Sequence, residues 1–234
     1  MPFTQIEAIS LFGDPETGHA TADTNEPLYS LSHSTTRLAI DIVILPPEQV
    51  MDLAIEWNKH LAKKHLQSIL LGKTISLPHI SLLMGCLAKN QMASAHAALT
   101  DIANGTKSLD LRITRNRDVG EVTSPVVTLD IESTPALLSL HENIVDTFKS
   151  LLTQDAKASE IDDTPPITHS SLKWISNFMA DQCHENFWPH ITVGHGNSEK
   201  VQTEYNFTAT RLAIFHLGNH CTCKTLLFET TLKD

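Results

Sequence analysis

The chain writes one short phrase twice. LPHISLLMG occupies residues 77–85 and WPHITVGHG occupies residues 188–196. Each reads proline, histidine, isoleucine, a hydroxyl residue, an aliphatic residue and a closing glycine, and the two histidines stand 111 positions apart. A repeat of this kind constrains a fold more than composition does, because each copy needs a similar structural setting.

The settings do repeat. RLAIDIVILP (37–46) is apolar and β-branched, the pattern of a buried strand, and Pro46-Pro47 ends it. Val50, Leu53, Ala54, Trp57 and Leu61 then recur at helical spacing, so residues 48–64 read as an amphipathic helix before the first phrase. In the second half SPVVTLDIESTP (124–135) reads as a strand ending in proline, and Leu137, Leu140, Ile144, Phe148 and Leu151 mark a helix. Between the halves lie a helix over AKNQMASAHAALTDIA, stopped at Asn104-Gly105, and an alternating strand, LDLRITRNRDV. A helix over SLKWISNFMADQC precedes the second phrase. The C-terminal stretch reads as two strands joined at Gly218-Asn219. The expected fold is therefore α+β, with strand-helix-strand halves related by a pseudo-two-fold axis. Residues 1–36 read as an N-terminal arm, and residues 37–234 as a single bilobal domain with lobes near 37–120 and 121–234, terminal strands being free to exchange between them.

The halves differ in one insertion. Pro46 to His79 is 33 residues and Pro135 to His190 is 55, and the surplus falls in TQDAKASEIDDTPPITHSS (153–171). This acidic segment carries Asp155, Glu160, Asp162 and Asp163, and its length marks it as a mobile lid over the cleft.

Charge and cysteine content exclude some functions. A formal net charge of −10 argues against a broad grip on long nucleic acid, while leaving room for a small nucleotide in a locally positive pocket. No apolar run approaches the roughly 20 residues of a membrane span. The start lacks a signal-peptide pattern, so the expected location is cytoplasmic. Cys86, Cys183, Cys221 and Cys223 match no disulfide framework. His216, His220, Cys221 and Cys223 lie close enough in sequence for a metal site, but alternation along a strand explains them equally well.

The pattern histidine, apolar, Ser or Thr, apolar is loose alone; HATA (19–22) and HCTC (220–223) also fit it. Requiring bulky aliphatics and a preceding proline leaves only the pair at His79 and His190. On a strand, residues i and i+2 share a face, so His79 pairs with Ser81 and His190 with Thr192. Packed about a pseudo-two-fold axis, the two pairs converge on one cleft. Two imidazoles suit displacement at phosphorus: one takes a proton from the attacking oxygen, the other gives one to the leaving oxygen. The hydroxyls can donate to non-bridging phosphate oxygens. That chemistry needs no metal and no cofactor.

On these residues the chain resembles the two-histidine phosphoesterase superfamily, which includes 2′,5′ RNA ligase-like proteins and cyclic nucleotide phosphodiesterases. The signature stands here as His79-Ile80-Ser81-Leu82 and His190-Ile191-Thr192-Val193. The resemblance covers about residues 37–232. It implies antiparallel sheets around a central cleft and a hydrolase opening 2′,3′-cyclic phosphates of nucleotides or short RNA ends, with no obligate protein partner. Its alternatives are a 2′,5′ RNA ligase acting on longer RNA and a nucleotide-binding module without turnover.

Around the pair, Trp188 shares the face of His190 and reads either as a base-stacking residue or as core, and Lys73 as a phosphate contact or a solvated lysine. His195, five residues past His190, falls by parity on the opposite face. Arg112, Arg115 and Arg117 form the one dense basic cluster, with Arg115 and Arg117 on the face of Ile113. Tyr205 and Trp174 are further candidates for stacking.

Overall fold

A computed structural model describes residues 36–66, 68–120, 125–198 and 204–234. The N-terminal arm, including HATA, thus lies outside the described residues except for Thr36. Strand β1 (Arg37–Leu45) is buried from Ala39 onward, as its continuous apolar run dictates. Pro46 and Pro47 stop it, and Pro47, extended at φ −66°, leads into helix α1 (Glu48–Ala62). Strand β2 (Ile80–Ala88) starts one residue after His79. Helix α2 (Met92–Gly105) follows a single 3₁₀ turn, and strand β3 (Leu109–Val119) ends the first half.

The second half repeats the order. Strand β4 (Val126–Ile131) leads to helix α3 (Pro135–Phe148), with Pro135 in its first turn. Thr134 caps α3, its hydroxyl oxygen accepting from the Leu137 amide at 3.2 Å. The face of α3 carrying Leu137, Leu140, Ile144 and Phe148 is buried. Truncating a core aromatic such as Phe148 to alanine costs about 3–5 kcal/mol. Strand β5 (Leu152–Thr153), helix α4 (His169–Asp181) and strand β6 (His190–His195) follow. Then come β7 (Tyr205–Ala209), β8 (Arg211–Leu217) and β9 (Cys223–Thr231).

The strands form two antiparallel sheets, ordered β5-β2-β1-β8-β9 and β6-β4-β3-β7. Sheet membership does not divide the chain at residue 120. Strand β3, from the first half, sits between β4 and β7 of the second, while β8 and β9 extend the sheet of β1 and β2. Two strands escape a reading of the sequence. The two-residue β5 is too short for a periodic signal, and β7 runs into β8 with only Thr210 between them as the chain changes sheets.

The segment 153–171 differs from the mobile lid that its length suggests. Arg37 of β1 ion-pairs with Asp155 at 2.6 Å and with buried Glu160 at 2.8 Å. Asp162 accepts from the Thr225 hydroxyl, and Asp163 pairs with Lys224 at 3.0 Å. Its backbone also joins β8, the Asp162 amide donating to the Leu217 carbonyl at 2.8 Å. All four acids that make the segment look solvated are fastened to β1 or to the β8–β9 hairpin. No helix among the described residues is long and apolar enough to cross a membrane.

Candidate active site

The repeated phrase builds the same local structure twice. In each copy the imidazole Nδ1 donates to the carbonyl two residues earlier: His79 to Leu77 at 2.8 Å, His190 to Trp188 at 2.9 Å. A carbonyl only accepts, so Nδ1 carries a proton in both rings, and Nε2 is left to take or give one. The intervening residues are Pro78 and Pro189, both buried. The fixed φ of proline sets the short reversal that brings the i−2 carbonyl to the ring.

The fourth position of each motif is a bulge. Val43 pairs with Ser81 and Ile42 with Leu83, leaving Leu82 extra. Thr128 pairs with Thr192 and Val127 with Gly194, leaving Val193 extra. The carbonyl of each bulged residue is caught by a helix from the other half. Asn58 of α1 donates to the Val193 carbonyl at 2.8 Å, and His141 of α3 donates through Nδ1 to the Leu82 carbonyl at 3.0 Å. Both catching residues are buried. Asn58 also donates to the Ile69 carbonyl and accepts from the Leu71 amide, which settles its amide orientation. His141 Nε2 accepts from the His184 amide at 3.1 Å, and the ring stacks on Phe187. Nothing in the sequence marks this role, since Asn58 looks like an ordinary polar helix position and His141 like an interruption of an apolar face.

The closing glycines are also explained. A Cβ on Gly196 would lie 2.4 Å from the His65 ring, and one on Gly85 would lie 2.8 Å from the Gln154 amide nitrogen. At Gly196 the left-handed φ of +132° also favours glycine, and at Gly85 Leu152 Cβ, 3.1 Å away, adds to the crowding.

Strands β2 and β6 meet where the two sheets adjoin, and the motif histidines sit close enough that the charge of His190 is felt at His79. Burial, with a smaller contribution from His190, pushes His79 down to about 4. Burial also lowers His190, opposed by the nearby Asp130 carboxylate. Both rings therefore favour the neutral state in the unliganded cleft.

The surroundings of the two rings differ. Asp41 of β1 is fully buried beside His79, its Oδ2 lying 3.7 Å from the ring Nε2 and accepting from the Ser81 hydroxyl at 2.6 Å. Among the described residues its Oδ1 has no hydrogen-bond partner, and no Lys or Arg pairs with it. Burial pushes Asp41 well above the usual carboxylate range. In the second half Asp130 of β4 stands opposite His190 and is saturated. Arg115 and Arg117 reach its Oδ2 at 2.9 and 3.0 Å, and Trp188 Nε1 and the Thr128 hydroxyl donate to its Oδ1 at 3.2 Å each.

Other candidates move from where parity puts them. Because Val193 is bulged, His195 returns to the partly exposed side shared by His190 and Thr192, where it meets His220 edge-on with ring centroids 6.3 Å apart. A bulge at Thr114, between the pairs Ile113–Ile131 and Arg115–Asp130, likewise turns Arg115 and Arg117 away from the Ile113 face. Trp188 stacks on His190 with centroids 4.1 Å apart, and the Arg117 guanidinium lies over the indole at 4.1 Å. Both contacts hold the indole against the ring of His190. Lys73 is 3.0 Å from Asp52 and 3.9 Å from Glu48, so it pairs with α1 and not with either motif. Arg112 pairs with Glu132 and Glu204. Trp174 and Tyr205 are exposed. His216, His220, Cys221 and Cys223 do not converge: His216 Nε2 donates to the Glu160 carbonyl, and Cys223 turns toward Asp41 and His79.

Two identically pinned histidines, each with a hydroxyl residue two positions on, between two antiparallel sheets, define the architecture of a two-histidine phosphoesterase. Residues 76–220 match the 2′-5′ RNA ligase superfamily, and the chain belongs to it. The fold is shared with TT0787 of Thermus thermophilus, at 15% identity and a TM-score of 0.58, over 83% of this chain and 98% of that one. E. coli LigT in apo form is similar at 16% identity over 86% of this chain and 100% of LigT, with a TM-score of 0.49. No curated protein matches the chain. Membership places the chain among phosphoesterase- and ligase-type proteins.

Proposed function

We propose that the chain is a metal-independent phosphodiesterase that opens 2′,3′-cyclic phosphates of nucleotides or short RNA ends. The observation that carries this reading is the matched pinning of His79 and His190, which leaves one Nε2 in each half for proton transfer within electrostatic reach of the other. His79, the more strongly depressed of the two, takes a proton from an attacking water. The new bond forms from water oxygen to phosphorus, and the bond to the 2′ or 3′ oxygen breaks. His190, beside Asp130, takes up a second proton at Nε2 as the anionic phosphate enters the cleft, and gives that proton to the leaving oxygen. Thr192 donates to a non-bridging oxygen, where charge builds, and Ser81 joins it only by turning its hydroxyl away from Asp41. Arg115 and Arg117, with guanidiniums partly exposed beside His190, give the cleft its local positive edge.

Ligation of longer RNA is the second reading, favoured only by the family's name. The net charge of −10 weighs against it, because binding along many phosphates needs many cations. The deciding experiment screens 2′,3′-cyclic nucleotides and short RNAs with cyclic phosphate ends, with and without excess chelator. Monoester product formed in chelator is the expected result. Activity lost in chelator and restored by zinc or manganese would overturn the metal-free mechanism.

A further inference from the structure

Asp41, His79 and Cys223 come from three separate strands or strand ends, yet one ligand atom from each lies within 4.8 Å of the other two. Asp41 and Cys223 are 0% and 1% exposed, and the His79 side chain is 13% exposed, so the cluster opens only toward the cleft. Among the described residues, Asp41 Oδ1 is a buried oxygen with no hydrogen-bond partner. Such an atom is costly to bury unless something fills its valence. The equivalent acid of the other half, Asp130, has four partners, so an unsatisfied carboxylate is not a general feature of this cleft.

The histidine is already arranged as a ligand would be. Its Nδ1–H is held by the Leu77 carbonyl, the outer-shell hydrogen bond that fixes a ligating imidazole and directs the Nε2 lone pair. One carboxylate oxygen, one imidazole nitrogen and one thiol sulfur form a mixed set suited to a borderline-soft tetrahedral ion, and unsuited to magnesium or calcium, which take oxygen.

We propose that Asp41, His79 and Cys223 form an inhibitory site for a zinc-class divalent ion. Binding displaces the thiol proton of Cys223 and the carboxyl proton of Asp41 to solvent and places the ion on His79 Nε2. The fourth coordination position faces the cleft. An ion there takes the lone pair that the proposed function assigns to proton transfer, so the site silences that reaction reversibly. The inference rests on that assignment only for its effect on turnover; the binding itself does not depend on it.

The test uses the full chain, stripped with chelator and then titrated with zinc chloride against a chromogenic zinc indicator. One zinc per chain is expected. Cys223→Ser and Asp41→Asn should each weaken binding by more than the roughly 10–100-fold that loss of an outer-shell partner causes. Thermal melting shows that each variant is folded, and if Asp41→Asn is not, the near-isosteric Cys223→Ser decides. Cleavage of a cyclic phosphate should fall over the same zinc range, recover in chelator, and persist in Cys223→Ser at zinc levels that silence the parent. Absence of stoichiometric binding, or equal affinity in Cys223→Ser, overturns the proposal. A chain that binds zinc as described but cleaves no cyclic phosphate in its absence would leave the site standing and sink the proposed function instead.

Discussion

The His79 side and the His190 side of the cleft share a frame and differ in what surrounds it. Proline, i−2 carbonyl, hydroxyl residue, bulge and closing glycine recur on both sides, and each bulge is held by a helix from the opposite half. The charged neighbours do not recur. Asp130 is neutralised by two arginines, while Asp41 is buried against a hydroxyl, an imidazole and a thiol. The difference teaches that aiming an imidazole and tuning it are separate tasks. Backbone geometry does the first, identically on both sides, and burial together with the neighbouring charges does the second.

If the shared frame is the catalytic part, the two histidines should be about equally indispensable. His79→Ala and His190→Ala should each lower kcat by roughly 10²–10⁴-fold, with much smaller changes in binding of an inert monoester analogue. A His79→Ala protein that binds poorly but turns over bound substrate normally would make the sides functionally unlike, with His79 a phosphate anchor.

Stability should next separate the two acids. Asp130→Asn weakens hydrogen bonds to charged groups and should cost about 1.5–3 kcal/mol in denaturant unfolding. Asp41→Asn, which removes no cation partner, should cost clearly less. Equal losses would erase the contrast. Asn58→Ala strands the Val193 and Ile69 carbonyls and the Leu71 amide, at about 1–3 kcal/mol for each group left unsatisfied, and should lower kcat through the displaced β6.

The hydroxyls give a smaller, graded difference. Thr192→Ala should reduce kcat by about 10–100-fold, the loss of one hydrogen bond to developing charge. Ser81→Ala should cost less, because Ser81 already spends its hydroxyl on Asp41. The reverse order would mean that Asp41 orients Ser81 toward substrate.

The smallest effect concerns His141. Burial depresses its pKa, and its Nε2 must stay unprotonated to accept from the His184 amide. Its contribution to stability is therefore complete above the ordinary histidine value and declines as pH falls below it, since the unfolded chain binds the proton first. The melting temperature should drop between about pH 7 and pH 5, the range around the ordinary histidine value. In His141→Gln, which can still donate to Leu82 and accept from His184, part of that drop should disappear.

The paired motifs, the strand-proline-helix order and the α+β class are legible in the sequence because each rests on local periodicity. Parity fails where the backbone inserts a residue. It assigns His195, Arg115 and Arg117 to the wrong faces because bulges at Val193 and Thr114 leave no mark in a two-residue alternation. Asp41 is invisible for another reason: inside RLAIDIVIL it is one acid in an apolar run, and only the convergence of His79, just before β2, and Cys223, at the start of β9, shows what it faces. The acidic segment misleads because composition counts charges without their partners.

The exchange of strands between sheets bears on how such a chain can be divided. Cut at residue 120, the first fragment would keep β3 with neither neighbour and β1 with one edge bare; the second would lack the strand that joins β4 to β7 and the one that covers β8. Every exposed edge on one piece has its complement on the other. Such fragments are natural aggregation templates when made alone and natural complements when made together, so recovery of activity from a split chain would require co-expression, not mixing of purified parts.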